Sequence, residues 1–117
     1  TVPEELLNDI IDYLKGAKYI DDIEYIEKTV NNYKSLKNLS IRELKYKLMA
    51  KGIDKDNIEN YMYENRDELE KYEKKSAANI LYKKQGASEP EEIIQYLIKK
   101  GYKTENIRKA ISEMEEG

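Results

Sequence analysis

The strongest constraint on this fold is an internal echo. Leu48, Lys51, Gly52, Asn57 and Ile58 recur as Leu97, Lys100, Gly101, Asn106 and Ile107, at an offset of 49 residues. In each copy an apolar stripe with helical spacing runs up to Lys-Gly, and a second stripe starts a few residues later. A Gly at that place permits the left-handed backbone that ends a helix, which a β-carbon would penalise by about 1 kcal/mol. The preceding Lys meets the negative end of the helix dipole. The apolar residue after the Gly, Ile53 or Tyr102, can fold back on the last turn. Each copy therefore predicts two short helices meeting at a corner, and a longer helical stretch lies upstream of each.

Apolar residues recur near a period of 3.6 along the whole chain, and no stretch keeps a period of two. The pattern predicts about seven helices and no strands. The first runs from Pro3 through the stripe Leu6, Leu7, Ile10, Ile11 and Leu14, with Gly16 as its stop. The second starts after Asp21 or Asp22 and carries Ile23, Ile26, Val30 and Tyr33. Residues 34–39 read as a basic linker. Ser40 and Glu43 have capping-box spacing ahead of Ile41, Leu44 and Leu48. Asp54 caps the next helix, a fifth spans about 67–84, Ser88 caps a sixth and Thr104 a seventh. Grouping by the echo gives an all-α, elongated or curved array of tandem three-helix repeats. Residues 1–17 are the last helix of a first repeat, 18–66 a complete repeat and 67–117 another. The chain opens on Thr1, not Met, already close to an amphipathic helix, as expected of a piece of a longer protein.

Composition narrows the chemistry. Among 117 residues there is no Cys and no His. Disulfides, thiolate nucleophiles, imidazole acid–base chemistry and Cys/His zinc sites are therefore excluded. The paired acids Asp21/Asp22, Glu91/Glu92 and Glu115/Glu116 are sequence neighbours, which point apart on a helix and form no dyad. No phosphate-binding loop motif occurs. The expectation is a protein without enzymatic activity, metal or cofactor. With no long apolar run and no signal peptide, the cytoplasm is the expected compartment and no membrane contact is expected.

The net charge is −3, yet it is unevenly distributed. Residues 34–52 hold six bases against one acid, whereas residues 1–33 hold three bases against eight acids. A local patch can steer a partner despite an acidic total. Lys37, Arg42, Lys45, Lys47 and Lys51 form the first candidate partner-binding group, and Lys99, Lys100, Arg108 and Lys109 the second. Eleven Tyr with no Phe or Trp is unusual. Tyr13, Tyr25, Tyr33, Tyr61, Tyr72 and Tyr96 read as half-buried, and Tyr46, Tyr63 and Tyr82 as exposed.

Three segments carry a resemblance. The first is Tyr19, Ile20, Asp21, Asp22, Tyr25 and Ile26. The second is Arg42, Glu43, Leu44, Lys47, Leu48, Lys51, Gly52 and Ile53. The third is Tyr96, Leu97, Lys100, Gly101 and Tyr102, ahead of Ile107, Arg108, Lys109 and Ala110. In this order they resemble the RecX regulatory proteins, bacterial modulators of the RecA recombinase, over nearly the whole chain. Ile26 stands where that family has a small residue, and the acidic isoelectric point also departs from it. The resemblance implies arrays of three-helix repeats that bind RecA, or the RecA filament on single-stranded DNA, and restrain recombination and the SOS response. It also marks Asp22, Tyr25, Glu43, Leu44, Leu48, Gly52, Ile53, Leu97, Gly101, Tyr102 and Ile107 as structural positions. Two other readings need no family: a helical DNA-binding module with weak direct DNA contact, and a generic α-helical protein-interaction scaffold. The unpartnered stripe at 6–14 further predicts self-association of the chain.

Overall fold

The computed structural model describes residues 2–116; Thr1 and Gly117 lie outside the described residues. It contains six α-helices: α1 (Glu4–Leu36), α2 (Ile41–Ala50), α3 (Lys55–Glu64), α4 (Arg66–Lys84), α5 (Pro90–Lys99) and α6 (Thr104–Glu116). No named β-strand forms among the described residues, in line with the all-α, elongated expectation. The extents are 72 × 24 × 22 Å and the radius of gyration is 19.2 Å. A compact chain of this length has a radius near 13 Å.

The helix count differs from the expected seven because the first two expected helices are one. α1 runs 33 residues, roughly 50 Å, straight through Gly16. Gly16 does not take the left-handed conformation that ends a helix, and nothing lies within 4 Å of where its β-carbon would be. A glycine inside a helix costs only about 1 kcal/mol relative to Ala, too little to stop a helix with good helix formers on both sides. Asp21 and Asp22 are therefore interior residues and cap nothing. The expected linker at 34–39 shortens accordingly, because the helix continues to Leu36.

Two apolar clusters hold the molecule together. Ile26, Val30, Leu39, Leu44, Leu48, Ile58, Tyr61, Leu69 and Tyr72 form the first, between α1, α2, α3 and the start of α4. Ala77, Leu81, Ile93, Leu97, Tyr102, Ile107 and Ala110 form the second, between the rest of α4, α5 and α6. Leu44, Leu48 and Leu97 are fully buried, and Ile53 is half-buried against the first cluster. By contrast the stripe Leu6, Leu7, Ile10, Ile11 and Leu14 is exposed along its length.

The corners form where the echo puts them. Gly52 has φ +81° between α2 and α3, and Gly101 has φ +97° between α5 and α6. At the second corner Gly101 N–H donates to the Ile98 carbonyl and Tyr102 N–H to the Leu97 carbonyl, both at 3.0 Å, closing a Schellman cap. At the first, Gly52 N–H donates to the Met49 carbonyl at 3.0 Å. Ser40 and Glu43 form the reciprocal capping box, and Asp54 accepts the Asp56 N–H at 2.9 Å. The caps expected at Ser88 and Thr104 are not made. α5 starts with Pro90 at its first position behind Glu89, which supplies no side-chain cap. Thr104 is already helical, and Lys103 provides the first accepting carbonyl.

The joint between the two clusters is polar and closed. Glu73 is fully buried in mid-α4. Its Oε2 accepts the Ile41 N–H at 3.2 Å and its Oε1 the Lys103 N–H at 2.6 Å. One side chain thus occupies the free donors at the starts of α2 and α6. The Tyr72 hydroxyl donates to the Lys37 carbonyl at 2.7 Å and accepts the Leu39 N–H at 3.0 Å. The Ser40 hydroxyl donates to the Lys100 carbonyl at 2.8 Å while capping α2. Arg42 packs so closely on Gly101 that a β-carbon there would meet its Cδ at 2.7 Å and its Cβ at 2.9 Å.

Two substitutions test this account. Gly52→Ala should cost about 1 kcal/mol, because it faces only the backbone penalty. Gly101→Ala should cost clearly more, because Arg42 must also move; equal urea midpoints for the two variants would refute the close approach. Glu73→Gln places an amide donor against one of two backbone donors and should cost about 2–3 kcal/mol in urea unfolding.

Candidate functional site

The basic block of residues 34–52 does not act as one face, because neighbours divide it. Lys45 Nζ lies 3.1 Å from Glu59 Oε1 on α3. Arg42 packs on Gly101, donates from Nε to the Tyr46 hydroxyl at 3.2 Å and lies 5.5 Å from that ring. Both are held by contacts within the molecule. Lys37 and Lys47 instead converge on a single residue: their ammonium groups lie 5.9 and 5.4 Å from the centre of the Tyr33 ring. Each such contact is worth about 0.5–1 kcal/mol at an exposed site and leaves the charge facing water.

Tyr33 continues the surface in both directions. On one side it shares a depression of about 310 Å³ with Tyr25, Lys28 and Lys51. On the other, Lys37 joins Lys34, Lys71 and Lys75 in a cleft along α4. The result is a basic ridge from Lys28 to Lys75, drawn from α1, the residues after it, α2 and α4. Lys37, Lys47 and Lys51 are named by the charge block in the sequence. Lys28 and Lys71 are not, because they stand among acids in sequence, and Lys75 belongs in sequence to a separate basic stretch with Lys74; only helix packing brings the three to this side.

The second candidate group is divided further. Lys100 Nζ and Lys84 Nζ lie 5.6 and 4.3 Å from the centre of the Tyr96 ring, a smaller basic–aromatic cluster. Lys99 and Arg108 are exposed. Lys109 pairs with Glu105 at 3.3 Å. Of the tyrosines expected to be half-buried, Tyr61 and Tyr72 are buried and Tyr33 intermediate. Tyr13 is exposed instead, on the exposed first part of α1. Tyr25, at the rim of the depression with Lys51, and Tyr96 also lie outside. Tyr46, Tyr63 and Tyr82 are exposed.

Equivalent polar clasps sit behind the two corners. Asn57 Nδ2 donates to Asp22 Oδ2 at 2.9 Å, and Asn106 Nδ2 donates to Glu70 Oε2 at 2.5 Å. Asp22, expected to cap a helix, instead ties α1 to α3. Burial alone would raise the Glu70 carboxyl. Hydrogen bonds from Lys103 and Asn106, with the charges of Lys103 and Lys109, outweigh burial and hold it below its ordinary range. The Tyr102 hydroxyl is pushed far up, by burial first and then by the charges of Glu43 and Glu73. Tyr61 is raised by burial and by Glu27.

Among the described residues no group of three or more Cys, His, Asp or Glu side chains is placed to hold a metal ion. No helix there is long and apolar enough to cross a membrane. The molecule thus falls in the class of all-helical proteins built from paired-helix corners with a basic–aromatic surface.

Comparison with known proteins narrows the class. The chain is 31% identical over 120 residues to regulatory protein RecX of Bacillus pumilus, covering 99% of this chain and 46% of that protein. It is 32% identical over 125 residues to regulatory protein RecX of Staphylococcus carnosus, covering 97% and 44%. It is 29% identical over 120 residues to regulatory protein RecX of Clostridium botulinum strain Eklund 17B, covering 94% and 54%. No family model matches, and no solved structure is significantly similar. The chain is a member of the RecX family, and it spans about half the length of the curated relatives it matches.

The Glu70 clasp carries a pH prediction. A carboxyl lowered by folding stabilises the folded state above its unfolded value, and that contribution disappears as pH falls through the folded value. Glu70→Gln should therefore reduce stability at neutral pH. The gap to the parent should narrow as pH drops below the ordinary glutamate value of 4.5. Urea titrations at both pH values check this, and a gap independent of pH would remove the clasp from the account.

Proposed function

We propose that this chain is the binding part of a non-enzymatic regulator that contacts the RecA recombinase, or its filament on single-stranded DNA, and restrains it. Family membership supports the regulatory role. The observation that carries the binding surface is the convergence of Lys37 and Lys47 on Tyr33, continued to Lys51 at one end and Lys75 at the other. Charge distributed over such a ridge speeds encounter and fixes register more than it tightens any one contact. An elongated molecule suits a long, repetitive partner, because weak contacts add along its length. Lys100 with Lys84 around Tyr96 is the corresponding contact of the second unit.

The division into units belongs to the same proposal. Residues 18–66 and 67–117 are complete three-helix repeats. Residues 1–17 are the last helix of a preceding repeat, fused in α1 to the first helix of the next. The exposed stripe Leu6, Leu7, Ile10, Ile11 and Leu14 is then a face that two further helices cover, and this chain on its own self-associates through it. The protein works in the bacterial cytoplasm, where recombinase filaments form. A groove-reading DNA module is the weaker alternative, since α3 offers Asp54, Asp56, Glu59 and Glu64 where a recognition helix would need bases.

The test is a binding titration against RecA alone, RecA on single-stranded DNA and DNA alone. Lys37→Glu/Lys47→Glu should weaken filament binding by roughly tenfold or more, with helicity unchanged. Lys45→Glu should do much less, since its charge is already paired with Glu59. Parent-like affinity of the double variant would sink the ridge, and equal binding to bare DNA would favour the DNA module.

A further inference from the structure

An open cleft of about 480 Å³ lies between the last turn of α1, the residues that follow it, and α4. Lys34 and Lys37 stand on one wall, and Lys71 and Lys75 on the other. Glu68 is the one acid lining it, and Lys71 lies 3.8 Å from its carboxyl. Lys34, Lys37 and Lys75 take part in no ion pair among the described residues. Three uncompensated cations thus face one space.

Ser76 lines the same cleft. It is 1% exposed, and its hydroxyl has no hydrogen-bond partner. An unpartnered buried hydroxyl costs about 1–3 kcal/mol, and an acceptor from outside would remove that cost. Tyr72 offers no open aromatic face here. It is buried, Lys34 Nζ lies over its ring at 5.9 Å, and its hydroxyl is engaged by Lys37 and Leu39. The cleft therefore has groups for an anion and none for stacking a base.

The helix dipole does not forbid this. α1 directs its negative end toward the cleft, and Lys34 partly answers it. The Tyr33 carbonyl accepts the Lys37 N–H and the Asn31 carbonyl accepts the Ser35 hydroxyl, both at 2.9 Å. Lys71 and Lys75 sit within α4, away from any helix end, and have no such duty.

We propose that this cleft binds a phosphoryl group, held by Lys34, Lys37 and Lys75 with the Ser76 hydroxyl donating to one oxygen. A phosphate monoester carries nearly two negative charges and three acceptor oxygens, and a backbone diester one charge and two non-bridging oxygens; either can accept from the ammonium groups and the hydroxyl together. The space is of the size that takes a small ligand. The group belongs either to a small phosphate ester or to a nucleic-acid backbone, and the same ammonium and hydroxyl donors meet the phosphoryl oxygens of either. The site stands on these residues alone and does not require the recombinase reading.

The experiment follows backbone amide shifts of the full chain during titration with tripolyphosphate, at ionic strength held constant with chloride. Shifts should concentrate at residues 34–38 and 71–79. Lys75→Gln and Ser76→Ala should each weaken binding several-fold, and together roughly tenfold or more. Ser76→Ala separates binding from structure, since removing an unpartnered buried hydroxyl should leave thermal stability unchanged or raised. A short oligothymidylate then identifies the source. Displacement of tripolyphosphate assigns a nucleic-acid backbone, and failure to displace it assigns a small phosphate ester. Shifts spread evenly over all lysine-bearing surfaces, or parent-like affinity in the Lys75→Gln/Ser76→Ala variant, would overturn the site.

Discussion

The buried carboxyl of Glu73 is the contact on which the relation between the two halves depends. Each of its oxygens accepts one backbone N–H, from Ile41 at the start of α2 and from Lys103 at the start of α6. Helix starts leave several donors without intrahelical partners, and burying one unpaired costs more than a hydrogen bond gains. Glu73 removes that cost at two helices with one side chain. It also fixes the direction in which both helices leave α4. Apolar burial alone would tolerate a range of rotations, whereas two directional bonds tolerate few. Tyr72 next to it holds the intervening segment at Lys37 and Leu39, and Ser40 carries the chain of bonds on to the Lys100 carbonyl.

The corners were legible because they depend on strictly local physics. A Lys-Gly at the end of an apolar stripe predicts a left-handed residue, and both glycines have positive φ. The capping box at Ser40 and the cap at Asp54 were legible for the same reason. The fusion of the first two helices was not. Gly16 and Asp21 carry boundary chemistry, but each preference is worth about 1 kcal/mol and a continuous helix can absorb it. The cap at Thr104 was misread because the Lys103 N–H at this helix start is taken by a residue thirty positions upstream of Lys103. No local pattern announces that Glu73 accepts the Lys103 N–H.

The proposed binding surface was legible to a similar partial degree. A charge block in sequence names Lys37, Lys47 and Lys51, which the ridge contains. It also names Arg42 and Lys45, which the fold takes for itself through Gly101 and Glu59. Neighbours from elsewhere in the fold decide which cations stay available, and those neighbours lie 14 residues away at Glu59, by charge, and 59 away at Gly101, by close packing. The ridge gains Lys71 and Lys75 from α4, a helix distant in sequence from the charge block. Net charge is therefore a poor guide to this molecule, because the chain's acids and bases are unevenly distributed and packing decides which bases stay unpaired.

Joint and ridge share residues, and that links stability to recognition. Lys37 offers its carbonyl to Tyr72, its ammonium to the Tyr33 ring and its side chain to the cleft. The segment that carries it is held from below by Tyr72 and, through Ile41, by Glu73. If those bonds loosen, the first cluster need not unfold, but the spacing between Lys37 on one wall and Lys75 on the other is no longer fixed. A variant at the joint should therefore lose binding through geometry before it loses helicity. Charge removal on the ridge should do the reverse, lowering affinity while the joint stays closed. The two kinds of defect are distinguishable by whether a phosphoryl ligand still raises thermal stability. It does so only where the lysines remain and the walls can be drawn back into place.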